Sequence, residues 1–385
     1  MDITQIKDKR VLYICGNLFP VNSGDAIYSL GIIKRLLRNR NVLHLIILQD
    51  FPNDCVEYQE LLSSIGISIQ KLRPVKNILA TYKKLICIGS IKQIIINRRE
   101  FNNKKPDDPD VAICDHLRCS TAFQSMLNSM GDAFPRVLIS HNIEILNLNE
   151  NIEFENSFFK KIVLRLLNWN LKKIERNSLQ AADYVWSISK VDASNLNSLY
   201  YISPEKIFLC PVYFDYSRVK TEDELNCDTN NLLILGSMSW FPNVEGTIHF
   251  LDRIFPNLLT EDNNYILYIV GRKPSNRIVK FAGRNVKIIG QVDSVDSYIR
   301  LCDLLVVPNR LGGGVKIKIY EAIKKGIPII TYPQNTIGYN NDLFTAPFLV
   351  NNEFEFAESI KSVIHDTKVK LKFLRKGIAL IDQEN

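Results

Sequence analysis

The sequence has no apolar run long enough to span a membrane. A spanning helix needs roughly 18 uninterrupted apolar residues, and no segment of this 385-residue chain approaches that length. The first residues, MDITQIKDKR, carry both signs of charge and precede only a short apolar stretch, which is not typical of a secretory signal. These absences predict a protein of the cytoplasm.

Cysteine pairs with metal-binding spacing are also lacking. The eight cysteines are scattered without a CxxC motif, which argues against a zinc site and against a disulfide framework. Several lie inside apolar segments, where a reduced thiol packs as a small apolar side chain. With 46% apolar residues the chain can bury two cores, and its length predicts two or three domains.

Acidic residues are almost absent between Lys71 and Lys105. The chain has a net charge of +7, and this segment has ten basic residues and one acid among leucines and isoleucines. Such a segment is typical either of a solvated helical face or of a surface that docks on an anionic membrane at its inner face. It lacks the interleaved aromatic residues of a stacking platform, so nucleic acid is not expected as a partner.

A strand, a loop and a helix follow one another twice along the chain. Residues 10–16 (RVLYICG) form the first strand candidate, and further candidates are residues 42–48, 111–114 and 137–140. The pattern restarts near residue 230 with five apolar runs typical of buried parallel strands, NLLIL, YILYIVG, VKIIG, LLVVP and IPIITY. This order predicts an α/β protein with two Rossmann-like, doubly wound parallel-sheet domains.

The domain limits follow from the same pattern. We predict an N-terminal domain over residues 1–210, a C-terminal domain over 211–365, and a terminal helix over 366–385 that packs back toward the first domain. A hinge is expected near Pro211–Ser217, where prolines interrupt the helical pattern. The long helix candidate from Phe158 to Leu179 is expected to face the core with one stripe: Ile162, Val163, Leu166, Leu167 and Ile174.

Residues 308–332, PNRLGGGVKIKIYEAIKKGIPIITY, have the composition of an anion site. Three consecutive glycines let a ligand approach the backbone, and the amides that open the next helix attract negative charge. Lys316 and Lys318 add positive charge, and Glu321 can accept two hydroxyl hydrogen bonds, as from a ribose. A glycine turn with solvated lysines would give the same pattern. Since ligands of parallel sheets bind at the carboxyl ends of strands, we expect this segment to line a cleft between the domains.

Seven segments, taken together, resemble the retaining glycosyltransferases of the two-Rossmann (GT-B) fold. They are FPVNSGDAI, HNIE, NLKKIERNSL, ADYVWSISKVD, GSMSWFPNVEG, IVGRKP and GGGVKIKIYEA…GIPIIT, in the order of the family and over nearly the whole chain. The chain is most similar to bacterial, family 4-like nucleotide-sugar transferases that build capsule, exopolysaccharide and lipopolysaccharide. Many members hold two glutamates eight residues apart. Glu321 matches the second, whereas Gly313 replaces the first, as in a subgroup written GxGx(K/R)xKxxEA.

The resemblance implies transfer of a hexosyl group, with retention, from a nucleoside-diphosphate sugar to a surface-polysaccharide or lipid-linked acceptor. It implies catalytic roles for His141, Arg272 and Lys318. The residues that it implies for donor binding are Gly24, Ser239, Trp240, Arg272, Lys273, Gly312, Gly313, Gly314, Val315, Lys316, Lys318 and Glu321. The cations in this set, Arg272, Lys273, Lys316 and Lys318, would balance the negative charge of the leaving diphosphate, so no metal or other cofactor is required. The DDPD sequence at residues 107–110 is interpreted as a solvated turn and not as a metal motif.

Other interpretations of the same residues stay open. His141 can be an ordinary core histidine, Arg272 and Lys273 can be exposed loop charges, and Asp25 can be a helix cap. A sugar-nucleotide epimerase or an inverting transferase would use the same fold, because fold does not fix function. A catalytically silent homologue that binds and activates a partner transferase would also carry Gly313 in place of the first acid.

Overall fold

The computed structural model comprises two compact units, Met1–Tyr213 and Phe214–Asn385. It describes residues 1–16, 18, 24–48, 67–72, 94, 101, 106–130, 134–155, 157–213, 219–221, 223–226, 229–238, 240–339 and 342–384. Most of the basic segment 71–105, most of the predicted hinge and Ser239 lie outside the described residues.

The first unit is a parallel sheet with helices around it. Among the described residues its strands are β1 (Arg10–Cys15), β2 (Val42–Ile47), β3 (Ile67–Lys71), β4 (Val111–Asp115), β5 (Arg136–Ser140), β6 (Tyr184–Ser187) and β7 (Ile207–Leu209), in the order β3-β2-β1-β4-β5-β6-β7. Its helices are α1 (Gly24–Arg38), α2 (Ser120–Met130), α3 (Glu144–Phe154), α4 (Phe158–Ala181) and α5 (Lys190–Tyr200), with short 3-10 turns at Ile3–Gln5, Leu117–Cys119 and Pro204–Lys206.

The chain winds in both directions from the centre of this sheet. It runs outward from β1 to β3 and then returns to β4 on the other side of β1, which is the doubly wound pattern. The four predicted strands are confirmed. The strands β3, β6 and β7 were not predicted. ISIQK is half polar, and YVWS and IFL are only four and three residues long, so none of them has a clear apolar period.

Helix α4 begins at Phe158 as predicted, but its buried face differs from the predicted stripe. Ile162 and Leu166 are 40% and 70% exposed, whereas Leu164 and Leu171 are buried. The prediction was wrong for Ile162 and Leu166, because they project from the side of the helix opposite Leu164. The residues that form the buried cluster with α3 are Leu117, Leu148, Ile152, Leu164 and Leu171, with Leu167 and Ile174 packed at its margin.

The second unit is a smaller parallel sheet built in the same way. Among the described residues its strands are β8 (Asn231–Leu235), β9 (Ile266–Val270), β10 (Val286–Gly290), β11 (Leu304–Val307) and β12 (Ile329–Thr331), in the order β10-β9-β8-β11-β12. Its helices are α6 (Phe241–His249), which continues through a π-turn at Phe250–Ile254 into α7 (Phe255–Glu261), then α8 (Asn276–Val279), α9 (Asp296–Leu301), α10 (Ile317–Lys325), α11 (Glu353–Ile364) and α12 (Thr367–Glu384), with 3-10 turns at Asp223–Asn226 and Pro333–Asn335.

All five strands predicted for this unit are confirmed, with one difference in burial. Strand β10 was expected to be fully buried, but after Val286 its residues are only half-buried. The reason is its position at the edge of the sheet, where only β9 covers one side. The predicted fold class, two doubly wound parallel sheets, is confirmed.

The terminal helix α12 packs within the second unit. A side chain at Gly377 would meet Ile323 of α10 at 2.8 Å, so the two helices approach closely there. Phe373 stacks against Phe348 with ring centres 4.1 Å apart. The expected packing of this helix toward the first unit stays a prediction.

Candidate functional site

The carboxyl edge of the second sheet brings three loops together. Chain order reverses at β8, which pairs with β9 on one side and with β11 on the other. The loops after these strands therefore meet at the switch point, the place where open parallel sheets bind ligands. Most of the site residues expected from the sequence fall on these three loops.

Two glycines allow the loops to touch. A Cβ atom at Gly271 would lie 1.8 Å from the carbonyl oxygen of Gly236, so the loops after β8 and β9 meet backbone to backbone. Gly312 has a φ of +93°, and a Cβ atom there would lie 2.7 Å from the Trp240 ring. The indole, still 40% exposed, thus lies directly against the loop of Gly312, Gly313 and Gly314, the glycine loop. A larger residue at either glycine would open the site.

Lys316 closes the glycine loop. Its Nζ donates to the carbonyl oxygen of Gly313 at 2.7 Å and also to that of Gly312. The same Nζ lies 5.4 Å from the centre of the Trp240 ring, within cation–π range. The alternative of a solvated lysine is wrong for Lys316, which is buried. Its contact with a donor stays a prediction.

Lys318 lies where the loops after β8 and β11 meet. Its Nζ donates to Asn309 Oδ1 at 2.9 Å, to Asn243 Oδ1 at 3.1 Å and to the carbonyl oxygen of Leu235 at 3.3 Å. Burial, and to a smaller extent the charge of Lys316, lower the pKa of Lys318 to about 7. The amine is therefore poised near neutral pH, and an anion beside it would favour its charged form.

The asparagines around Lys318 were not predicted from the sequence. Asn309 donates from Nδ2 to Asn243 Oδ1 at 3.0 Å, and Asn243 donates to the carbonyl oxygen of Ser237 at 3.0 Å. Asn335, fully buried, donates to the carbonyl oxygen of Asn309 at 2.7 Å. Asparagine is common in turns, so its presence was a weak signal. The position of Asn309, directly after a buried strand, could have identified it.

Arg272 belongs to the same edge. Its Nε donates to Ser237 Oγ at 3.1 Å, and its carbonyl oxygen accepts from the Met238 amide at 2.9 Å, so the loops after β8 and β9 are joined there. Arg272 is half-buried, whereas Lys273 is exposed. Lys273 has a φ of +56°, an unfavourable conformation for a residue with a side chain, of the kind that clusters at functional sites.

Glu321 is held by a neighbour on its own helix. Its Oε1 lies 3.0 Å from Lys325 Nζ, which also lies 2.7 Å from Asp296 Oδ1. The Glu321 side chain is 14% exposed. A carboxylate has about four acceptor positions, so this pair leaves capacity for hydroxyl donors. Ribose binding by Glu321 stays a prediction.

The remaining residues expected at the site are distributed over both units. Gly24 opens α1 in the first unit, and Ser239 lies outside the described residues. The residues Gly313, Gly314 and Val315 are half-buried in the loop before α10.

In the first unit, His141 belongs to a buried hydrogen-bonded chain at the carboxyl edge of the sheet. Its Nε2 lies 2.5 Å from Asp115 Oδ1, and Tyr13 donates its hydroxyl to Asp115 Oδ2 at 2.8 Å. Burial lowers the pKa of His141, but the charge and hydrogen bond of Asp115 outweigh it and raise that pKa above its usual value. The structure thus pairs His141 with a carboxylate that the sequence analysis did not identify.

A second histidine lies beside the first. The rings of His116 and His141 have centres 5.0 Å apart, and His116 has a φ of +81° at the end of β4. Its Nδ1 accepts from the Arg118 amide at 3.1 Å, so the proton lies on Nε2, which is 3.4 Å from Glu144 Oε1. Burial and His141 lower the pKa of His116 to about 3, which keeps it neutral. Asp115 and His116 were not predicted as site residues, although they lie at the end of β4, next to β5.

The described residues contain no group of three or more His, Cys, Asp or Glu side chains that could hold a metal ion. The acidic sequence at residues 107–110 is an irregular segment before β4, where Asp110 accepts from the Arg10 amide at 2.8 Å. The five cysteines in the described part of the chain are buried free thiols: Cys15, Cys114, Cys119, Cys210 and Cys302. No helix in the described ranges is both long and apolar enough to cross a membrane.

Residues 229–366 match the family model described as Glycosyl transferases group 1. Over this segment the chain is similar to group 1 glycosyltransferases. The segment contains the glycine loop, Lys316, Lys318 and Arg272, so the family resemblance expected from the sequence is confirmed over residues 229–366.

The chain is also similar to a protein from a cps region. A Klebsiella pneumoniae protein described as an uncharacterized 44.6 kDa protein in the cps region is 24% identical over 260 residues. The match covers 64% of this chain and 64% of that protein, so the chain spans less than two thirds of the length of the relative.

Solved structures show that the glycosyltransferase fold extends beyond the matched segment. Anabaena Alr3699/HepE, crystallised with UDP and glucose, has a TM-score of 0.65 at 13% identity, over 97% of this chain and 95% of that chain. WaaG, described as a glycosyltransferase involved in lipopolysaccharide biosynthesis, has a TM-score of 0.61 at 16% identity, over 95% of this chain and 94% of that chain. The predicted GT-B fold is confirmed.

Proposed function

We propose that the protein transfers a hexosyl group from a nucleoside-diphosphate sugar, with retention, to a surface-polysaccharide or lipid-linked acceptor. The observation that carries the proposal is the position of Lys318, a partly buried cation at the switch point of a group 1 glycosyltransferase domain. The relative in a cps region supports a polysaccharide acceptor, and the UDP and glucose bound by HepE support the donor class.

The donor diphosphate would lie at the carboxyl edge of the second sheet. As the bond between the anomeric carbon and the phosphate oxygen breaks, negative charge grows on the leaving diphosphate. The acceptor hydroxyl oxygen bonds to that carbon, and its proton passes to the leaving diphosphate. Fixed cations and amide dipoles at this place stabilise the transition state more than the ground state. Lys318, Arg272 and the amides at the start of α10 supply them, and no metal or other cofactor is needed in this scheme. Glu321 would accept from the ribose hydroxyls.

His141, in the first unit, would contact the transferred sugar. Asp115 orients the imidazole and favours its charged form. Enzymes often place such strained, buried and titratable groups where reaction occurs. We therefore assign acceptor binding and sugar orientation to the first unit.

A donor screen tests the proposal. Nucleoside-diphosphate hexoses with different bases would be added to the full chain, and one of them is expected to raise the melting temperature by about 2–4 °C for each kcal/mol of binding. The same donor, with a cell-envelope extract as acceptor, is expected to release nucleoside diphosphate. If no donor shifts the melting temperature and none yields diphosphate, the proposal is wrong.

Donor affinity is expected to depend on pH through Lys318. Its pKa of about 7 in the free protein should rise when a diphosphate binds, so binding takes up a proton above that pH. Affinity should therefore fall by up to about tenfold per pH unit above neutrality. Titration calorimetry from pH 7 to pH 9 measures this slope, and Lys318→Arg, which stays charged, should flatten it. An equal slope in both proteins would exclude Lys318 as the titrating group.

A catalytically silent homologue is the second candidate, because Gly313 stands where many relatives carry the first acid. Such a protein would bind and activate a partner transferase, and would release no diphosphate with any acceptor. It would also tolerate Glu321→Ala, whereas the transferase should lose donor affinity with that change. An epimerase would instead consume the nucleotide sugar with no acceptor present.

A further inference from the structure

Helix α4 exposes an apolar face to solvent. Phe158, Phe159, Leu166 and Trp169 are 70%, 80%, 70% and 74% exposed, and Ile162 is 40% exposed. Soluble proteins rarely present so many large apolar side chains side by side, and such patches usually mark a contact surface.

These side chains form one continuous stripe. Phe158, Ile162, Leu166 and Trp169 follow one another at spacings of four, four and three residues, so they lie one above another on the helix. The stripe is opposite the buried face of Leu164 and Leu171. The helix is therefore apolar on two sides, and the structure uses only one of them for the core.

The charged residues at the surface of α4 are all basic. The only acid in its sequence, Glu175, is buried and accepts from the Glu144 amide at 2.8 Å and from the hydroxyl of Tyr200. Before the helix, Glu155 lies 3.8 Å from Lys160. The basic residues of α4 are Lys160, Lys161, Arg165, Lys172, Lys173 and Arg176.

We propose that this face of α4 docks on an anionic lipid surface. Aromatic and aliphatic side chains flanked by lysine and arginine are what an interfacial helix needs, because the apolar groups enter the acyl boundary while the cations meet acidic headgroups. A second copy of the chain fits less well, since a symmetric contact would bring the basic residues of two α4 helices together. The inference rests on the proposed function for its purpose, which is to bring the enzyme to a lipid-linked acceptor.

Vesicle binding tests the inference with the full chain. We expect co-sedimentation with phosphatidylcholine–phosphatidylglycerol vesicles, weak binding to phosphatidylcholine alone, and release at high salt. The double substitution Phe159→Gln with Leu166→Gln should lower the partition coefficient at least about tenfold. Phe354→Gln, at a side chain 72% exposed on α11, is the matched control and should bind like the wild type.

Tryptophan fluorescence gives a second, local measurement. Emission should shift to the blue on anionic vesicles, and Trp169→Phe should remove most of that shift while keeping vesicle binding, because Trp186 is already buried and Trp240 lies against the glycine loop of the second unit and not on α4. The substituted side chains are exposed, so the melting temperature should not change.

The inference is overturned if the wild type does not bind anionic vesicles, or if the double variant binds them as well as the wild type does. A wild-type dimer that the double variant converts to monomers, without vesicle binding, would show a second copy on this face. Donor binding is measured separately by thermal shift. Vesicle binding without any donor effect would refute the proposed function and leave this inference intact.

Discussion

Replacing Lys318 by methionine is expected to lower the rate of nucleoside-diphosphate release by about 10²–10³-fold, the effect of removing one preorganised group from a developing anion. The amine lies among the oxygens of Asn243, Asn309 and Leu235 with no carboxylate among these contacts, so no ion pair there neutralises its charge, which we expect to act on the leaving diphosphate. Steady-state kinetics with the donor found in the screen would measure the loss.

Two controls separate lost chemistry from lost structure in Lys318→Met. Lys280→Met removes an exposed lysine of the same unit and should leave the rate within about twofold, as surface substitutions usually do. The melting temperature of Lys318→Met should be measured too, because the change leaves Asn309 Oδ1 without the Lys318 donor, while Asn243 Oδ1 keeps only the donor from Asn309 Nδ2. A folded Lys318→Met protein with wild-type turnover would contradict the proposed role.

Replacing Asp115 by asparagine is expected to lower kcat by about 10²-fold or more. This is the size of effect expected when a side chain that gives or takes a proton, here His141, is no longer correctly positioned. The amide nearly preserves the shape of the carboxylate but removes the charge that raises the pKa of His141. The histidine then loses its proton at a lower pH. The limb of the pH–rate profile that depends on His141 should therefore move to lower pH.

That pH shift distinguishes a positioning residue from a merely structural one. Asp110→Asn is the matched control, because Asp110 precedes the other end of β4 and only pairs with Arg10 near the surface. It should leave the profile in place. An Asp115→Asn protein that loses activity with an unmoved profile would show that Asp115 only supports the fold.

Much of the fold could be predicted because the signals are local. Strands such as LLILG and ILYIVG are apolar, short and followed by glycine, and the helices between them have clear periods. The face of α4 could not be predicted in the same way. Its apolar residues cover two sides of the helix, so the sequence period alone cannot tell which side meets α3.

The candidate site was predicted in composition but not in arrangement. Glycines and lysines in one segment indicated an anion site. The contacts of Lys316 with its own loop, and of Lys318 with Asn243 and Asn309, join residues far apart in the chain. The pairing of Asp115 with His141 joins the ends of two neighbouring strands, and no local pattern encodes it.

The sequence by itself determined the α/β class, the two parallel sheets and the glycine and lysine content of residues 308–332, because these depend on residue type and on spacing within one element. Only the tertiary structure decided which cations are buried, which carboxylate faces His141, and which apolar face of α4 remains exposed. Those outcomes depend on packing between distant segments, where burial sets both the pKa of a side chain and its accessibility to a partner.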